Sequence, residues 1–340
     1  MIRRLAGVVG ALFVLLFGAV SADAVEMPGP RLALMRITES RPELVTTDPA
    51  GLNQQDVVAN DAAVEPFFLV PPSWSPDGEK LAVIGVPKEG KFRFDVYVLD
   101  VGDGRMSLVP GTRSGMHPLL SPDGHTVAFT RTKPGKEGRD RTGPTEFAVW
   151  LADLNGGVVR RISPYKGHVS DIASSFSPDG SKLALTRTVG GGAPRAVSFD
   201  LSRGRATVLA RRASEPVYSP DGFRIAFRRM KLATVAKDRA SKRLFSDLYV
   251  MGAGGSNITR LTQTARRTES QPSWDPSGQR LSFLVSEDPA WLTIAPVSGG
   301  ALEEINADGT CRTQIPAAGS GIFGAVWQPG AGREAGPISC

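Results

Sequence analysis

An all-β fold, a six-bladed β-propeller, is predicted for this chain of 340 residues by three features of its sequence. A turn between apolar strands recurs, four times as Ser-Pro-Asp-Gly, a fifth time as Asp-Pro-Ser-Gly and once more in degraded form. A Gly-rich hairpin separates successive copies. The two ends of the repeat region are complementary, the first lacking an innermost strand and the last supplying one. Composition agrees. Glycine (38) and proline (26) make up 64 residues, well above the ~12% of an average chain, as many short strands and tight turns require. Hydrophobic residues (41%) and charged residues (22%) lie near globular averages, which excludes a disordered chain.

Residues 1–24 read as a secretory signal. Arg3 and Arg4 precede an uncharged run over 5–20, followed by Ala22-Asp23-Ala24 as a small-residue cleavage site. The run is shorter than the ~20 apolar residues of a membrane-spanning helix. No cysteine stands near the cleavage point, so a lipid anchor is not expected. Cleavage removes Arg3, Arg4 and Asp23 and changes the formal charge from +6 to +5. The mature protein is expected to be soluble, basic and extracytoplasmic, either secreted or in the periplasm or cell envelope. An oxidising compartment permits a disulfide. Cys311 and Cys340 have one intramolecular pairing, which would tie the tail 331–340 to the body; two free thiols are the alternative.

The terminal strands come first in the mature chain. RLALMRI (31–37), PELVTT (42–47) and approximately LNQQDVV (52–58) read as second, third and fourth strands without a first. The repeats follow: PSWSPDGEKLAVIG (72–85), PLLSPDGHTVAFTR (118–131), SSFSPDGSKLALTR (174–187), PVYSPDGFRIAFRR (216–229) and PSWDPSGQRLSFLV (272–285). AVWQPG (325–330) is the degraded copy and supplies the missing first strand. Counted from the turn serine or its equivalent, the copies are 42 to 56 residues apart, within reach of one four-stranded blade each. In each turn, proline presets φ, aspartate bonds back to the backbone and glycine accepts positive φ. Alternating apolar residues then form a strand. Between copies, FDVYVLDVGDGRMSLV (94–109), AVWLADLNGGVVRRI (148–162), AVSFDLSRGRATVL (196–209) and DLYVMGAGGSNITRL (247–261) read as hairpins around Gly-rich turns. For the last hairpin, WLTIAPVSGGALEEI (291–305) is the expected register. The alternative, with a strand and turn reaching NADGTCRTQI (306–315), would place Glu303 and Glu304 in an otherwise apolar strand. The propeller is thus expected over 25–330.

These Ser-Pro-Asp-Gly copies with the Asp-Leu-Tyr-Val-Met hairpin resemble the PD40, or WD40-like, repeat of TolB-type propellers, over about 29–330. The resemblance implies the fold and little about function, since such propellers serve as periplasmic binding partners of a lipoprotein, as domains of serine peptidases and as lyases of acidic oligosaccharides. The chain departs from TolB in having no room for an additional N-terminal domain between Ala24 and Arg31. It departs from the peptidases in having no Gly-x-Ser-x-Gly elbow.

Catalytic chemistry has little support. The three histidines are His117, His125 and His168. His125 follows a turn and is expected in solvent. His117 and His168 precede innermost strands, a placement that lets them approach each other near the axis, where a lyase would use them as metal ligands or base, with arginine neutralising a uronate. The simpler expectation is loop histidines, with no catalytic residue, metal or cofactor. Asp77, Asp123, Asp179, Asp221 and Asp275 are distributed one per blade and cannot converge on a calcium ion; turn closure is their expected role. Trp74, Phe176, Tyr218, Trp274 and Trp327 precede turns and are expected to pack between blades, Leu120 being the exception.

Charge and topology indicate one face. Loops joining second to third strands, and those joining one blade to the next, share it. The first kind are expected at 131–146, with Arg131, Lys133, Lys136, Arg139 and Arg141, and at 228–246. The latter carries Arg228, Arg229, Lys231, Lys237, Arg239, Lys242 and Arg243 against Asp238. The second kind bring Lys166, His168, Arg211, Arg212, Arg266 and Arg267. The expectation is a non-enzymatic envelope scaffold that engages an acidic protein, an anionic glycan or cell-wall polymer through this basic face. Lys166, His168, Arg211, Arg212, Arg239, Arg266 and Arg267 are the candidate contacts. A monomer without nucleic-acid partner or stable membrane insertion is expected. A polysaccharide lyase or hydrolase acting on acidic sugars is the alternative.

Overall fold

The computed structural model describes residues 31–37, 42–57, 63–67, 71–90, 93–132, 146–157, 159–164, 168–234, 242–287, 300–318, 321–330 and 337–340. The expected signal, 1–24, lies outside the described residues. Among the described residues the secondary structure is all-β apart from a 3-10 turn at Pro316–Ala318.

Strands β1 (Leu32–Ile37), β2 (Pro42–Thr47) and β3 (Gln55–Asp56) open the chain. The first repeat forms β4 (Val64–Phe67), β5 (Ser73–Trp74), β6 (Lys80–Pro87), β7 (Asp95–Asp100) and β8 (Met106–Leu108). The second forms β9 (Gly115–Leu120), β10 (Thr126–Thr132), β11 (Phe147–Asp153) and β12 (Val159–Arg161). The third forms β13 (Val169–Phe176), β14 (Lys182–Val189), β15 (Arg195–Asp200) and β16 (Arg205–Arg211). The fourth contributes β17 (Ala213–Tyr218), β18 (Arg224–Thr234), β19 (Lys242–Gly252) and β20 (Thr259–Arg260). The fifth contributes β21 (Thr268–Trp274), β22 (Arg280–Ser286), β23 (Ala301–Asn306) and β24 (Thr313–Gln314), and β25 (Ile322–Trp327) follows.

Each repeat is an antiparallel meander. The fourth and fifth are joined into one hydrogen-bonded sheet by a single parallel pair, Ser246 with Thr268. The last strand returns to the first: β25 pairs with β1 from Leu32–Trp327 to Arg36–Ile322, giving the order β25-β1-β2-β3. Closure of this kind removes an exposed sheet edge.

The turn explains the repeat. Ser75 Oγ donates to Asp77 Oδ1 (2.5 Å) and accepts from Lys80 N (2.9 Å), while Asp77 Oδ1 accepts from Glu79 N (3.0 Å). Gly78 takes φ of 72°, where a side chain would be strained and would meet Gln328. The same bonds recur at Ser121–Asp123, Ser177–Asp179 and Ser219–Asp221. In the fifth repeat the roles are exchanged: buried Asp275 accepts from Gln279 N and Arg280 N at 3.0 Å, and Ser277 Oγ donates to it.

Apolar clusters lie between consecutive sheets. Ala82, Val96 and Val109 of the first repeat meet Leu120, Val127 and Phe129 of the second. Ala184 and Ala196 of the third meet Tyr218, Ile225 and Phe227 of the fourth. The β25-β1-β2-β3 sheet packs on the first repeat through Met35 and Leu44, and on the fifth through Leu34 and Val45. Hydrogen bonds cross the same seams. Ser73, Ser175 and Ser273 Oγ accept from the N–H groups of Leu120, Tyr218 and Trp327 (3.0–3.2 Å). Trp74 and Trp274 donate their indole N–H groups to the carbonyls of Val326 and Val217 (3.1 and 3.0 Å). The aromatic position before the turn therefore seals one repeat against its neighbour.

Two expectations are corrected. The fifth hairpin does not use 291–305: its third strand is β23 and its fourth β24, so Glu303 and Glu304 do lie in a buried strand. Arginine makes this possible. Arg312 reaches Glu303 (2.5 Å), and Arg280 Nη1 lies 3.4 Å from Glu304, so the charges are buried as pairs. Within 228–246, residues 228–234 and 242–246 are strand and not loop, because β18 and β19 stay paired from Arg224–Gly252 to Thr234–Lys242; 235–241 lie outside the described residues. At the C-terminus, Cys311 and Cys340 are joined by a disulfide (Cα–Cα 5.0 Å). Asn306 exchanges two hydrogen bonds with the backbone of Ile338 (2.7 and 3.0 Å).

Candidate functional site

The innermost strands carry a bulge at one equivalent position, occupied by His117, Ala173, Glu215, Gln271 and Gly324 in β9, β13, β17, β21 and β25. The ladder shifts there in every case. His117, Glu215 and Gln271 adopt φ of 50°, 54° and 52°, and each is followed by proline. A bulge with a left-handed residue turns a side chain out of the ladder. At Gly324 an added Cβ would lie 3.3 Å from Gln271 Oε1 and 3.5 Å from Pro71, with Met35 closer still. A side chain at Gly324 would displace the end of Met35, and its nearness to Gln271 and Pro71 brings residues of β25, the fifth repeat and the first repeat close together.

Their N–H groups are satisfied from the preceding repeat. Ala173 N donates to Thr130 Oγ1 (3.2 Å), Glu215 N to Thr186 Oγ1 (2.8 Å) and Gln271 N to Glu215 Oε2 (2.6 Å). Glu215 also holds Arg228 at 2.9 Å, and Arg228 Nε donates to Ser214 Oγ. Gln271 Oε1, Arg228 Nη1 and His117 Nδ1 have no hydrogen-bond partner among the described residues. Burial lowers the His117 pKa to about 4, so its imidazole is neutral at physiological pH.

The basic residues form a rim where the chain enters these strands. Across the third repeat Asp171, Arg187, Arg195 and Arg211 stand in register on four adjacent strands. Asp171 takes Arg187 in two bonds of 2.7 Å; that hydrogen bonding raises the arginine pKa against the effect of burial. Arg195 and Arg211 face one another without an acidic partner among the described residues, and exposed Arg212 follows with φ of 54°. Like charges placed opposite one another destabilise a sheet.

The other expected contacts are distributed differently. Arg266 is exposed. Arg267 is engaged by Glu303 at 3.5 Å and Glu287 at 3.8 Å. His168 is exposed, with Nδ1 3.3 Å from Glu146. Lys166 and Arg239 lie outside the described residues, as do Lys133, Lys136, Arg139, Arg141 and Lys237. Arg228 and Lys231 are not free charges. Arg228 belongs to Glu215, and Asp247 binds both Lys231 and Arg260 at 2.5 Å. Arg229 stacks on Phe227 and Tyr249. Among the described residues expected on this face or adjoining it, Arg195, Arg211, Arg212 and Arg266 make no ion pair. Sequence reasoning missed Arg195, Glu215 and Gln271. Arg195 heads an apolar hairpin strand, and the signal for the other two was the residue-Pro pair ahead of each turn. Among the described residues, no group of three or more His, Cys, Asp or Glu is placed to hold a metal ion.

No family model matches the chain. Solved structures are similar to it. TolB from Acinetobacter baumannii superposes with a TM-score of 0.62 at 21% identity, over 88% of this chain and 67% of that one. A TolB-related protein of Agrobacterium tumefaciens gives 0.57 at 19%, over 85% and 89%. Oligogalacturonate lyase from Vibrio parahaemolyticus gives 0.52 at 17%, over 76% and 72%. At such identities the likeness concerns the fold, and with the closed antiparallel meanders above it establishes that this chain has a TolB-like β-propeller fold.

Proposed function

We propose that the chain is a six-bladed PD40-type propeller over 25–330 that is exported by its leader and acts, without catalysis, as an envelope scaffold for an anionic ligand or acidic protein surface. Six blades are supported by five complete repeats, the β25-β1-β2-β3 sheet and the apolar seams joining each to the next. The observation that carries the function is the Arg195–Arg211–Arg212 group. Nearby, Arg187, Arg228 and Arg260 are neutralised by Asp171, Glu215 and Asp247, whereas this cluster of three arginines has no acidic partner among the described residues. Bidentate guanidinium groups suit carboxylate and phosphate.

The test uses the 25–340 protein and a variant with Arg195, Arg211 and Arg212 changed to Glu, both checked by circular dichroism. Polygalacturonate resin and envelope extract serve as baits. Retention that weakens with salt and is lost in the variant is expected; equal retention of both proteins overturns the reading.

A second reading, a lyase of acidic sugars, has one observation in its favour. His117 Nδ1 has no hydrogen-bond partner among the described residues, which leaves that nitrogen open to a substrate proton, although a pKa of about 4 makes it a weak base. The resemblance to an oligogalacturonate lyase is compatible with it. Unsaturated product absorbance from polygalacturonate, abolished by His117→Asn, would establish this reading in place of the first.

A further inference from the structure

The opposite face, where the turns lie, holds a cleft of about 420 Å³ between the second and third repeats. Its walls include Thr126, Asp123, Phe176, Asp179, Gly180 and Arg160. Equivalent places at the fourth and fifth repeats are filled by an arginine from within the chain.

The first residue of each repeat's second strand donates its N–H to the turn serine or its equivalent. These residues are Lys80, Thr126, Lys182, Arg224 and Arg280. In the fourth repeat Arg224 reaches across the seam. Its guanidinium lies 4.9 Å from the Trp274 ring centroid, donates to the Gly278 carbonyl (2.6 Å) and stands 3.5 Å from its own turn aspartate, Asp221. In the fifth repeat Arg280 lies 5.0 Å from the Trp327 ring centroid and 3.7 Å from Asp275. Gln328 closes the corresponding place at the first repeat by donating to the Gly78 carbonyl (2.8 Å).

In the second repeat the residue is Thr126, too short to cross. No described side chain donates to the Gly180 carbonyl. Phe176 is only partly buried, whereas Trp74, Tyr218, Trp274 and Trp327 at the same position are 5–7% exposed. The cleft therefore contains an uncovered ring, a turn carbonyl and two turn aspartates, Asp123 and Asp179. These are the partners that a guanidinium satisfies two seams away. Arginine stacks on aromatic faces and presents several planar donors, which an ammonium does not.

We propose that this cleft binds an arginine side chain of a partner polypeptide, its guanidinium stacked on Phe176 between Asp123, Asp179 and the Gly180 carbonyl. Arg160, exposed on β12 at the same cleft and without an ion pair among the described residues, selects a carboxylate close to that arginine. A chain ending in arginine provides both groups.

The probe is the dipeptide Ac-Gly-Arg-OH, compared with its lysine and citrulline counterparts, titrated into the 25–340 protein. Binding is followed through the backbone amide resonances of Thr126, Phe176 and Gly180. The arginine peptide is expected to shift these resonances saturably, and the other two to bind at least tenfold more weakly. Thr126→Arg restores the residue type of the fourth and fifth repeats and is expected to abolish binding by filling the cleft from within. Phe176→Leu, which installs the residue that the second repeat carries at this position as Leu120, removes the ring while keeping an apolar side chain. It should weaken binding severalfold even if the arginine variant fails to fold. Absence of saturable shifts, equal affinity for the three peptides, or full affinity in Phe176→Leu overturns the proposal.

Discussion

His117 is held neutral by its surroundings, and this has a measurable effect on stability. Its pKa falls from an ordinary value near 6.5 to about 4 in the folded protein. Between these values the unfolded chain takes up a proton that the native state refuses, so stability is retained above pH ~6.5 and lost progressively as the pH falls towards 4. Asparagine tolerates the positive φ of this position. His117→Asn is therefore expected to reduce the decline of Tm between pH 6.5 and 4.5, read by thermal melts; an unchanged slope would show that the imidazole is not shielded. Arg312 offers a second test. Its guanidinium contacts Glu303 at 2.5 Å and Glu269 at 3.2 Å, and burial raises the Glu269 pKa. Removing one partner of a buried pair typically costs about 3–5 kcal/mol. Arg312→Ala is expected to approach that loss at pH 8 and to lose less at pH 5, where Glu269 can accept a proton. Denaturant melts at the two pH values check this.

The turn is the element that repeats because it satisfies its own polar groups. Ser219 is fully buried, donates to Asp221 and accepts from Arg224 N (3.0 Å). Ser219→Ala strands that N–H, and a cost of about 1–3 kcal/mol is expected, seen as a lower urea midpoint with the same m-value. These turns were legible in the sequence because their bonds are local, spanning two to five residues. The Gly-rich hairpins were legible for the same reason. What could not be read was tertiary. Glu303 and Glu304 look misplaced in a strand until Arg312 and Arg280 stand beside them. The strand nature of 228–234 was concealed by charges whose partners, Glu215 for Arg228 and Asp247 for Lys231, belong to other strands. The candidate site was legible as a sign of charge and not as a set of residues, since the partnering of each arginine is decided across strands.

At the scale of the molecule, one sheet made from both termini holds the structure together. Trp327 N donates to Ser273 of the fifth repeat, while Trp74 of the first donates to Val326, so β25 is stitched to both neighbours. A chain ending at residue 320 is expected to lose cooperative thermal unfolding and to elute as expanded or aggregated species in size-exclusion chromatography. A compact, cooperatively melting product would contradict the importance of the closure. The proposed arginine rim lies at the strand ends opposite those that carry the aspartate turns. Binding at the rim is expected to fall steeply between low and physiological salt.

The pairing of β1 with β25 has a further consequence in time. Leu32 finds its partner in Trp327, the most distant contact in sequence that the sheet makes, and such contacts form last and slowly. During synthesis the earlier repeats can form their meanders as they emerge, but Leu32 and Leu34 of the first strand stay uncovered until almost the whole chain exists, because their partners lie at its far end. Until then the growing polypeptide is an open arc with two unpaired edges, the form in which it is most exposed to aggregation and to chaperones.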